Sequence, residues 1–473
     1  MLRIAQMWSA VQLEMDEFYR VLNSLSAAGW TPAVLEAERR FVELAGITDR
    51  PGMRVGANAI VGGADFFFRD DAIFFLVAYD VDKPRAADPE IFLRGPNIRR
   101  YLTTTHQNSA VVLGLVKPDV DDDKLASMLA EFTEAAENAI RSSLDGRKAR
   151  HLKFDWTAMD SANRLATLSK RLTEEGASPQ FTTPGMDAQT LAGAEVLADR
   201  TARALLQELS EANFARETDI LSRRGRKEDE TRAVLTSLKN AELIMTQFLL
   251  QCRRNSTSLT RFATREQLNE QAVAELRCGG CNRRYADELL TEGYLVSELG
   301  KRLISGSHWM TVWVTQRLIE SGISADSIMW NLEESGEEVD ILVSSLGRLW
   351  ILELKDREFG PGDAHPFRYR RVRYRANISI IVTTDKVSGE AKRIFNELDR
   401  RADRYTDDGP PSGLPLYIEG LDAVAPEIRK TLDSASVEKA VQALEMPSSI
   451  TGFDAVSVLQ ARTPFTYERQ RRR

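Results

Sequence analysis

The stretch Val339-Asp-Ile-Leu-Val-Ser-Ser-Leu-Gly-Arg-Leu-Trp-Ile-Leu-Glu-Leu-Lys355 carries the clearest structural signal in the chain. Its two apolar runs, 339–343 and 348–354, are separated by a short polar link that ends in Gly347. Such a pattern predicts two strands joined by a β-hairpin. Residues 327–332 form another strand-like run just before them, so three consecutive strands are expected.

Helical and strand patterns surround these three runs in a regular order. The predicted helices cover 295–304, 309–320, 365–376 and about 388–404, and the further predicted strands cover 378–383 and 414–418. The resulting order is helix, three strands, helix, strand, helix, strand, which is typical of a mixed α/β domain. We assign this domain to residues 286–446.

The rest of the chain predicts an N-terminal α/β domain, a helical connector and a tail, in an α/β (mixed) multidomain protein. In residues 1–155, apolar runs at 72–79 and 110–116 predict buried strands, and periodic patterns predict helices at 1–20, 33–44 and 122–143. Between 186 and 251, apolar residues recur at steps of three and four, which predicts a hairpin of two long helices turning near Gly225. This connector, 156–285, either forms a homo-oligomer or packs on neighbouring domains. Residues 447–473 end in a basic run and are predicted to be a flexible tail.

Composition limits the classes of protein that are compatible with this sequence. The chain has 473 residues, of which 43% are hydrophobic and 28% charged, with a net charge of −7. A nucleic-acid partner would therefore need a local basic patch. Three cysteines fit a reducing cytoplasm better than a disulfide framework. No apolar run approaches the roughly 20 residues of a membrane span. We therefore expect a cytoplasmic protein without a membrane partner.

Three ionisable residues in the predicted hairpin are candidates for chemistry. Side chains alternate along a strand, so Glu353 and Lys355 share one face, and Asp340 on the preceding strand can lie beside them. Burying such groups is costly unless a divalent cation compensates their charge. The alternative is an exposed cross-strand ion pair on an ordinary sheet.

Asp340 followed by Glu353-Leu-Lys355, within this order of elements, resembles the PD-(D/E)xK superfamily of restriction-endonuclease-like nucleases. The resemblance covers roughly residues 286–420 and implies a C-terminal αβββαβ nuclease domain. It implies that Asp340 and Glu353 bind Mg²⁺ or Mn²⁺, that Lys355 is the catalytic lysine, and that Glu298 on the preceding helix is a further catalytic residue. Val339 stands where the family name has proline.

The stretch Phe367-Arg-Tyr-Arg-Arg-Val-Arg-Tyr-Arg375 interleaves aromatic and cationic residues, a composition suited to phosphate contact and stacking. We expect nucleic-acid contacts from Arg368, Arg370, Arg371 and Arg373. In particular, Arg368 or Arg371 would replace a glutamine that many members of the superfamily carry on this helix. The alternative is a solvated amphipathic helix with Tyr369 and Val372 directed inward.

Cys278-Gly-Gly-Cys281 has the spacing of a metal-binding turn. Zinc normally takes four ligands, and this pair supplies two. Cys252 and His308 are the nearest further candidates in the sequence, and a second protomer could supply another pair. The alternative is a turn with two unliganded thiols.

These observations together predict a metal-dependent endonuclease that acts on DNA rather than RNA. A nuclease fused to a separate N-terminal sensing or recognition region is similar in architecture to bacterial antiviral defence effectors, an analogy at the level of domains only. One alternative is a non-catalytic nucleic-acid-binding or assembly protein on a degenerate nuclease fold. Another is a regulatory protein that acts through its helical connector.

Overall fold

A computed structural model describes residues 1–44, 62–80, 109–144, 152–158, 186–212, 214–222, 227–334, 337–402 and 414–462, with a few short pieces between 146 and 181. The chain divides into two compact units, Met1–Asn163 with Arg429–Arg473, and Arg164–Ile428. The mixed α/β fold class is confirmed. Among the described residues, no helix has the length and apolar character needed to cross a lipid bilayer.

The first unit contains an antiparallel sheet whose described strands have the order β2-β3-β4-β1-β5. Its helices α1 and α3 pack on one face through Phe18, Leu22 and Phe132. The carboxylate of the buried Asp65 accepts the backbone amides of Val34 and Leu35 at the start of α2. The elements are β1 (Leu2–Ser9), α1 (Met15–Ala27), α2 (Ala33–Leu44), β2 (Gly62–Arg69), β3 (Ala72–Asp80), β4 (Ser109–Pro118), α3 (Asp122–Ser143) and β5 (Thr157–Ala158).

The N-terminal segment corrects one sequence prediction. Residues 1–20 were predicted to be helical, but β1 lies between β4 and β5 and only α1 is helical. Leu2 and Trp8 pack on one face of the sheet, while Ala5 and Met7 pack on the other. Because both faces of this strand are covered, the alternation of apolar and polar residues that identifies a half-buried strand is missing.

The second unit begins with short helices and a small sheet of order β7-β10-β8-β9 in the described residues. The predicted hairpin of two long helices is wrong: the apolar residues of this region lie on three separate helices and one strand, and Gly225 lies outside the described residues. Leu205, Leu209 and Leu238 are buried within this unit. The elements are β6 (Gln180–Phe181), α4 (Ala188–Leu197), α5 (Arg200–Ala212), β7 (Ala215–Arg216), α6 (Glu217–Leu221), α7 (Glu228–Asn240), β8 (Ile244–Gln251), β9 (Ser258–Phe262), α8 (Gln271–Ala274), β10 (Leu289–Val296), α9 (Glu298–Ile304) and α10 (His308–Glu320).

A larger sheet completes the second unit, and its described strands have the order β15-β14-β13-β12-β11-β6. The predicted order of helix, three strands, helix, strand, helix, strand is confirmed by α10 and the elements that follow it. Leu346 and Gly347 both have positive φ, as a two-residue hairpin turn of the favoured hand requires. The elements are β11 (Ile328–Glu334), β12 (Glu337–Ser345), β13 (Arg348–Lys355), α11 (Pro361–Arg373), β14 (Ile378–Thr383), α12 (Gly389–Ala402) and β15 (Leu416–Glu419).

The predicted flexible tail is wrong for most of its length. Helices α13 (Val424–Thr451) and α14 (Ala455–Arg462) continue through it, and residues 463–473 lie outside the description. Leu444, Phe453 and Leu459 pack against the face of the first unit's sheet that carries Phe66 and Phe75. The apolar residues near the end of the chain therefore complete a core.

Candidate active site

The candidate site lies where β12, β13 and β14 meet. Strand β13 is antiparallel to β12 and parallel to β14. The last β12–β13 pair is Ile341 with Leu352, so the next positions along the two strands are Asp340 and Glu353. The carboxylate Oδ2 of Asp340 accepts the backbone amide of Leu354 at 2.6 Å. The hairpin therefore brings both predicted carboxylates to the same end of the sheet.

Glu353 is a buried carboxylate held by two cations. Its side chain follows the face of Leu349 and Ile351, which packs in the core that α11 covers, and Glu353 itself is only 2% exposed. The Nζ of Lys355 lies 2.8 Å from Oε1, and Nη2 of Arg370 lies 3.0 Å from Oε2. Because Glu353 is buried, the alternative of an ordinary exposed ion pair is wrong. A buried charge of this kind needs close compensation, which the two cations supply.

Lys355 stays protonated in this environment. Burial by itself would lower the pKa of Lys355, but the negative charges of Glu353 and Asp340 outweigh burial and raise that pKa above its ordinary value of 10.5. A hydrogen bond to Glu353 and the more distant charge of Asp363 act in the same direction. At neutral pH the residue is thus a fixed positive charge and a hydrogen-bond donor.

Helix α11 is anchored at its first turn by Asp363. The carboxylate accepts the amide of Gly360 at 3.0 Å and forms two hydrogen bonds with the guanidinium of Arg357, at 2.8 and 2.9 Å. Burial alone would raise the pKa of Asp363, but these hydrogen bonds, aided by the positive charge of Lys355, lower it overall. This cap fixes where α11 starts and hence which of its side chains point at the sheet.

The orientation of α11 corrects the expected roles of two arginines. Arg370 contacts Glu353, and Arg371 is 1% exposed, with its Nε 2.6 Å from Ser379 Oγ. Neither guanidinium is placed for phosphate contact, because both are buried against the sheet. Tyr369 and Val372, assigned to the inner face in the alternative interpretation, are instead exposed at 52% and 50%. The outer face also carries Arg373, whose guanidinium hydrogen-bonds Tyr369, and the half-buried Arg368.

Glu298 occupies a different environment from that of Asp340, Glu353 and Lys355. It lies in the first turn of α9, its side chain is 88% exposed, and its ionic partner is Lys301 at 2.7 Å. A solvated carboxylate that pairs with a neighbour on its own helix gives no support for a shared metal site with Asp340 and Glu353.

Arg203 and Asp356 adjoin the site and were not found from the sequence. Arg203 Nε lies 3.2 Å from Asp356 Oδ2, and its guanidinium stacks 4.6 Å from the Trp309 ring. Burial lowers the pKa of Arg203, against the opposing charges of Asp356 and Asp199. Because Asp356 directly follows Lys355, this pair fixes the end of β13. More than 150 residues separate the partners, so no local pattern indicates their contact.

A second cluster of titratable groups includes the predicted cysteine pair. The donor atoms of Cys252, Cys278, Cys281 and Glu288 all lie within 4.8 Å of one another. Cys252 was a predicted candidate, whereas Glu288 was not. His308, the other candidate, is not a member of this cluster and packs its ring edge-on against Trp330, 5.6 Å between centroids.

The cluster is linked by hydrogen bonds to sulfur and to the carboxylate. Cys281 Sγ donates to Glu288 Oε1 at 2.7 Å, and this contact raises the pKa of Cys281 to about 12. The same contact lowers the pKa of Glu288, which also accepts the amide of Arg253 at 2.6 Å. Burial disfavours the thiolate of Cys252, but backbone amides from Arg254 and Asn255 lower its pKa overall.

No model of a known protein family matches the chain, and no curated protein matches its sequence. The likeness to the PD-(D/E)xK superfamily therefore rests on Asp340, Glu353 and Lys355 and on the order of the elements around them.

Proposed function

We propose that this protein is a nuclease that hydrolyses phosphodiester bonds, of DNA rather than RNA, with the help of Mg²⁺ or Mn²⁺. The observation that carries the proposal is the convergence of Asp340, Glu353 and Lys355 at one end of the sheet, with Glu353 buried. Carboxylates are seldom buried without a compensating partner, and clusters of titratable groups that perturb one another concentrate at functional sites. A titratable cluster of this kind is therefore a functional-site candidate.

The donor set fits a hard divalent cation. Two carboxylates from neighbouring strands, with open coordination positions left for water and phosphate oxygens, are the ligands that Mg²⁺ prefers. Asp340 and Glu353 would hold the ion. Bound there, it would supply charge for the scissile phosphate and a more acidic water.

The protein's own residues divide the remaining work. Lys355 keeps its proton, so it stabilises negative charge on the reacting phosphate and does not act as a base. Arg370 holds the Glu353 carboxylate in place. Arg368, Arg373 and Tyr369 on the outer face of α11 provide positive charge and an aromatic ring for the nucleic-acid backbone and bases.

The charge balance of the cluster favours a second candidate function, a nucleic-acid-binding protein without catalysis. The positive charges of Lys355 and Arg370, which both pair with Glu353, are equal in number to the negative charges of Asp340 and Glu353. A cluster with no net negative charge attracts a cation less strongly than a pair of bare carboxylates. On this alternative, the fold binds nucleic acid without needing a divalent ion.

The proposal extends to the setting of the protein. A low and odd number of cysteines, three, fits a cytoplasmic enzyme. The first unit would sense or recognise a signal and the second would cut, the division of labour of a defence effector. Self-association would come from the connector region.

Cleavage assays separate the two candidates. Plasmid DNA, single-stranded DNA and RNA are incubated with the full chain in Mg²⁺, Mn²⁺ or EDTA, using wild type and Asp340→Asn. We expect cleavage of DNA that requires the metal and falls by at least about 100-fold in the variant. Asp326→Asn, a matched change at an exposed carboxylate just before β11, is the control and should cut like wild type.

Binding of all three substrates is measured in parallel. Metal-independent binding without cleavage under any condition would support the non-catalytic candidate. Absence of both binding and cleavage would contradict both functions.

A further inference from the structure

All three cysteines of the chain meet at one point, although 25 residues lie between Cys252 and Cys278. None of them forms a disulfide. Cys252 and Cys278 are buried and Cys281 is half-buried, and each faces the Glu288 carboxylate, which is also buried. Three thiols around a buried carboxylate form a set of metal-binding donor atoms, and this set is separate from the proposed nuclease site.

We propose that Cys252, Cys278, Cys281 and Glu288 bind one structural zinc ion. In a tetrahedral site with zinc–sulfur bonds of about 2.3 Å, neighbouring ligand atoms lie about 3.5–3.8 Å apart. The four donor atoms already lie within 4.8 Å of one another, so small side-chain rotations suffice. Soft thiolates select zinc over Mg²⁺ or Ca²⁺.

The two loops that carry the cysteines have the same backbone hydrogen-bond pattern. In the first, Cys252 N donates to Thr257 O and Ser256 N donates back to Cys252 O, at 2.9 and 2.8 Å. In the second, Cys278 N donates to Arg283 O and Asn282 N donates back to Cys278 O, both at 2.8 Å. The fifth residue of each loop has positive φ, 57° at Ser256 and 61° at Asn282. Two equivalent turns thus face each other across the cluster.

The equivalence explains why Glu288 completes the set. The fourth position of the second loop is Cys281, and the same position of the first loop is Asn255, a weak zinc ligand. Glu288 supplies the missing donor from the residue that immediately precedes β10. Oε1 of Glu288 accepts a hydrogen bond from the Cys281 thiol. Zinc binding would release the thiol proton, and the Cys281 sulfur and Glu288 Oε1 would both become ligands.

Backbone amides and arginine side chains around the cluster stabilise negative charge on its sulfur atoms. Gly280 N donates to Cys278 Sγ at 3.4 Å, and the amides of Arg254 and Asn255 bond the Cys252 sulfur. Such donors are the supporting contacts that metal-bound sulfur requires. Three thiolates, one carboxylate and zinc carry a net negative charge, which Arg253 and Arg283 offset from either loop.

The ion would stabilise a segment that has little apolar core. Between β9 and β10, the buried residues described are Leu268, Cys278 and Glu288. Cys252 directly follows β8 and Glu288 directly precedes β10, two strands paired along their whole length. A bound zinc would therefore fix the loop of residues 263–288 to the end of this sheet, in place of a hydrophobic cluster.

Metal analysis of the purified full chain tests this site. We expect one zinc per wild-type chain and a loss of zinc in Cys252→Ser and Cys278→Ser. Glu288→Gln should weaken zinc binding by more than the roughly 10–100-fold that supporting residues contribute. Glu292→Gln, the same change at an exposed position of β10, is the control and should keep its zinc. Zinc binding unchanged in Glu288→Gln would overturn the assignment of the fourth ligand.

Measurements on wild type remain decisive even where a cysteine variant does not fold. Cobalt exchanged into the site should give the intense charge-transfer absorption of a tetrahedral thiolate complex, and all three thiols should resist a thiol reagent until a chelator is added. A wild-type chain that takes up no zinc or cobalt, and whose thiols react at the same rate with and without chelator, would overturn the proposal. Asp340→Asn should retain its zinc, so the outcome does not depend on the nuclease activity.

Discussion

Replacing Lys355 with methionine is expected to lower the rate of metal-dependent DNA cleavage by at least about 100-fold while leaving DNA affinity close to that of wild type. The Nζ of Lys355 lies 2.8 Å from Oε1 of Glu353, and its raised pKa keeps it charged. Methionine preserves the length and packing of the side chain but removes the charge. The variant therefore loses stabilisation of the transition state and not of the bound substrate. The rate of single-turnover cleavage with saturating enzyme measures this loss.

Lys301→Met is the matched control for this change. Lys301 pairs with Glu298 on the surface of α9, so removing its charge should alter cleavage by less than about twofold. Circular dichroism confirms that both variants fold. Equal cleavage by Lys355→Met and wild type would show that the cluster of Asp340, Glu353 and Lys355 does not carry the reaction, even if the protein cuts DNA.

Arg370→Met should destabilise the second unit by about 3–5 kcal/mol, because it leaves the buried Glu353 with a single cation. Arg370 is 8% exposed and lies 3.0 Å from the carboxylate. The effect should be local, so we would follow hydrogen exchange of the β13 and β14 amides, which reports the opening of that sheet. Arg368→Met is the control. Arg368 is a half-buried arginine two residues earlier on α11, and its replacement should change hydrogen exchange little.

A double variant distinguishes a charge effect from a packing effect. When Glu353→Gln is combined with Arg370→Met, the uncompensated buried charge is gone, and we expect much of the lost protection to return. Protection that stays as low as in Arg370→Met alone would mean that the arginine acts through packing. It would also remove the basis for assigning Arg370 to the positioning of Glu353.

The hairpin of β12 and β13 is predictable from sequence because its determinants are local. The apolar runs, the turn at Leu346-Gly347 and the side-chain alternation all lie within 17 residues, and together they place Asp340 beside Glu353. Long-range partners leave no such signal. Neither the contact of Arg203 with Asp356 nor that of Glu288 with the cysteines follows from spacing.

The face of α11 that packs on the sheet could have been predicted from the sequence. A parallel connection from β13 to β14 lays its helix on one face of the sheet, and Glu353 lies on that face with Leu349 and Ile351. A buried carboxylate there requires a cation from the helix, which is Arg370. The prediction from composition assigned all four arginines to phosphate binding. Composition does not show which arginines face the sheet and which face outward.

Binding of Mn²⁺ to the full chain, followed by electron paramagnetic resonance without nucleic acid, tests the central claim most directly. The account predicts a Mn²⁺ site in wild type that is lost in Asp340→Asn and kept in Asp326→Asn, although Lys355 and Arg370 already contact Glu353. One equivalent of zinc per chain is added beforehand and unbound zinc is removed, so that the cysteine cluster does not contribute and zinc does not compete with Mn²⁺ for the carboxylates. Identical Mn²⁺ binding by wild type and Asp340→Asn, or none by wild type, would contradict the assignment of Asp340 and Glu353 as metal ligands.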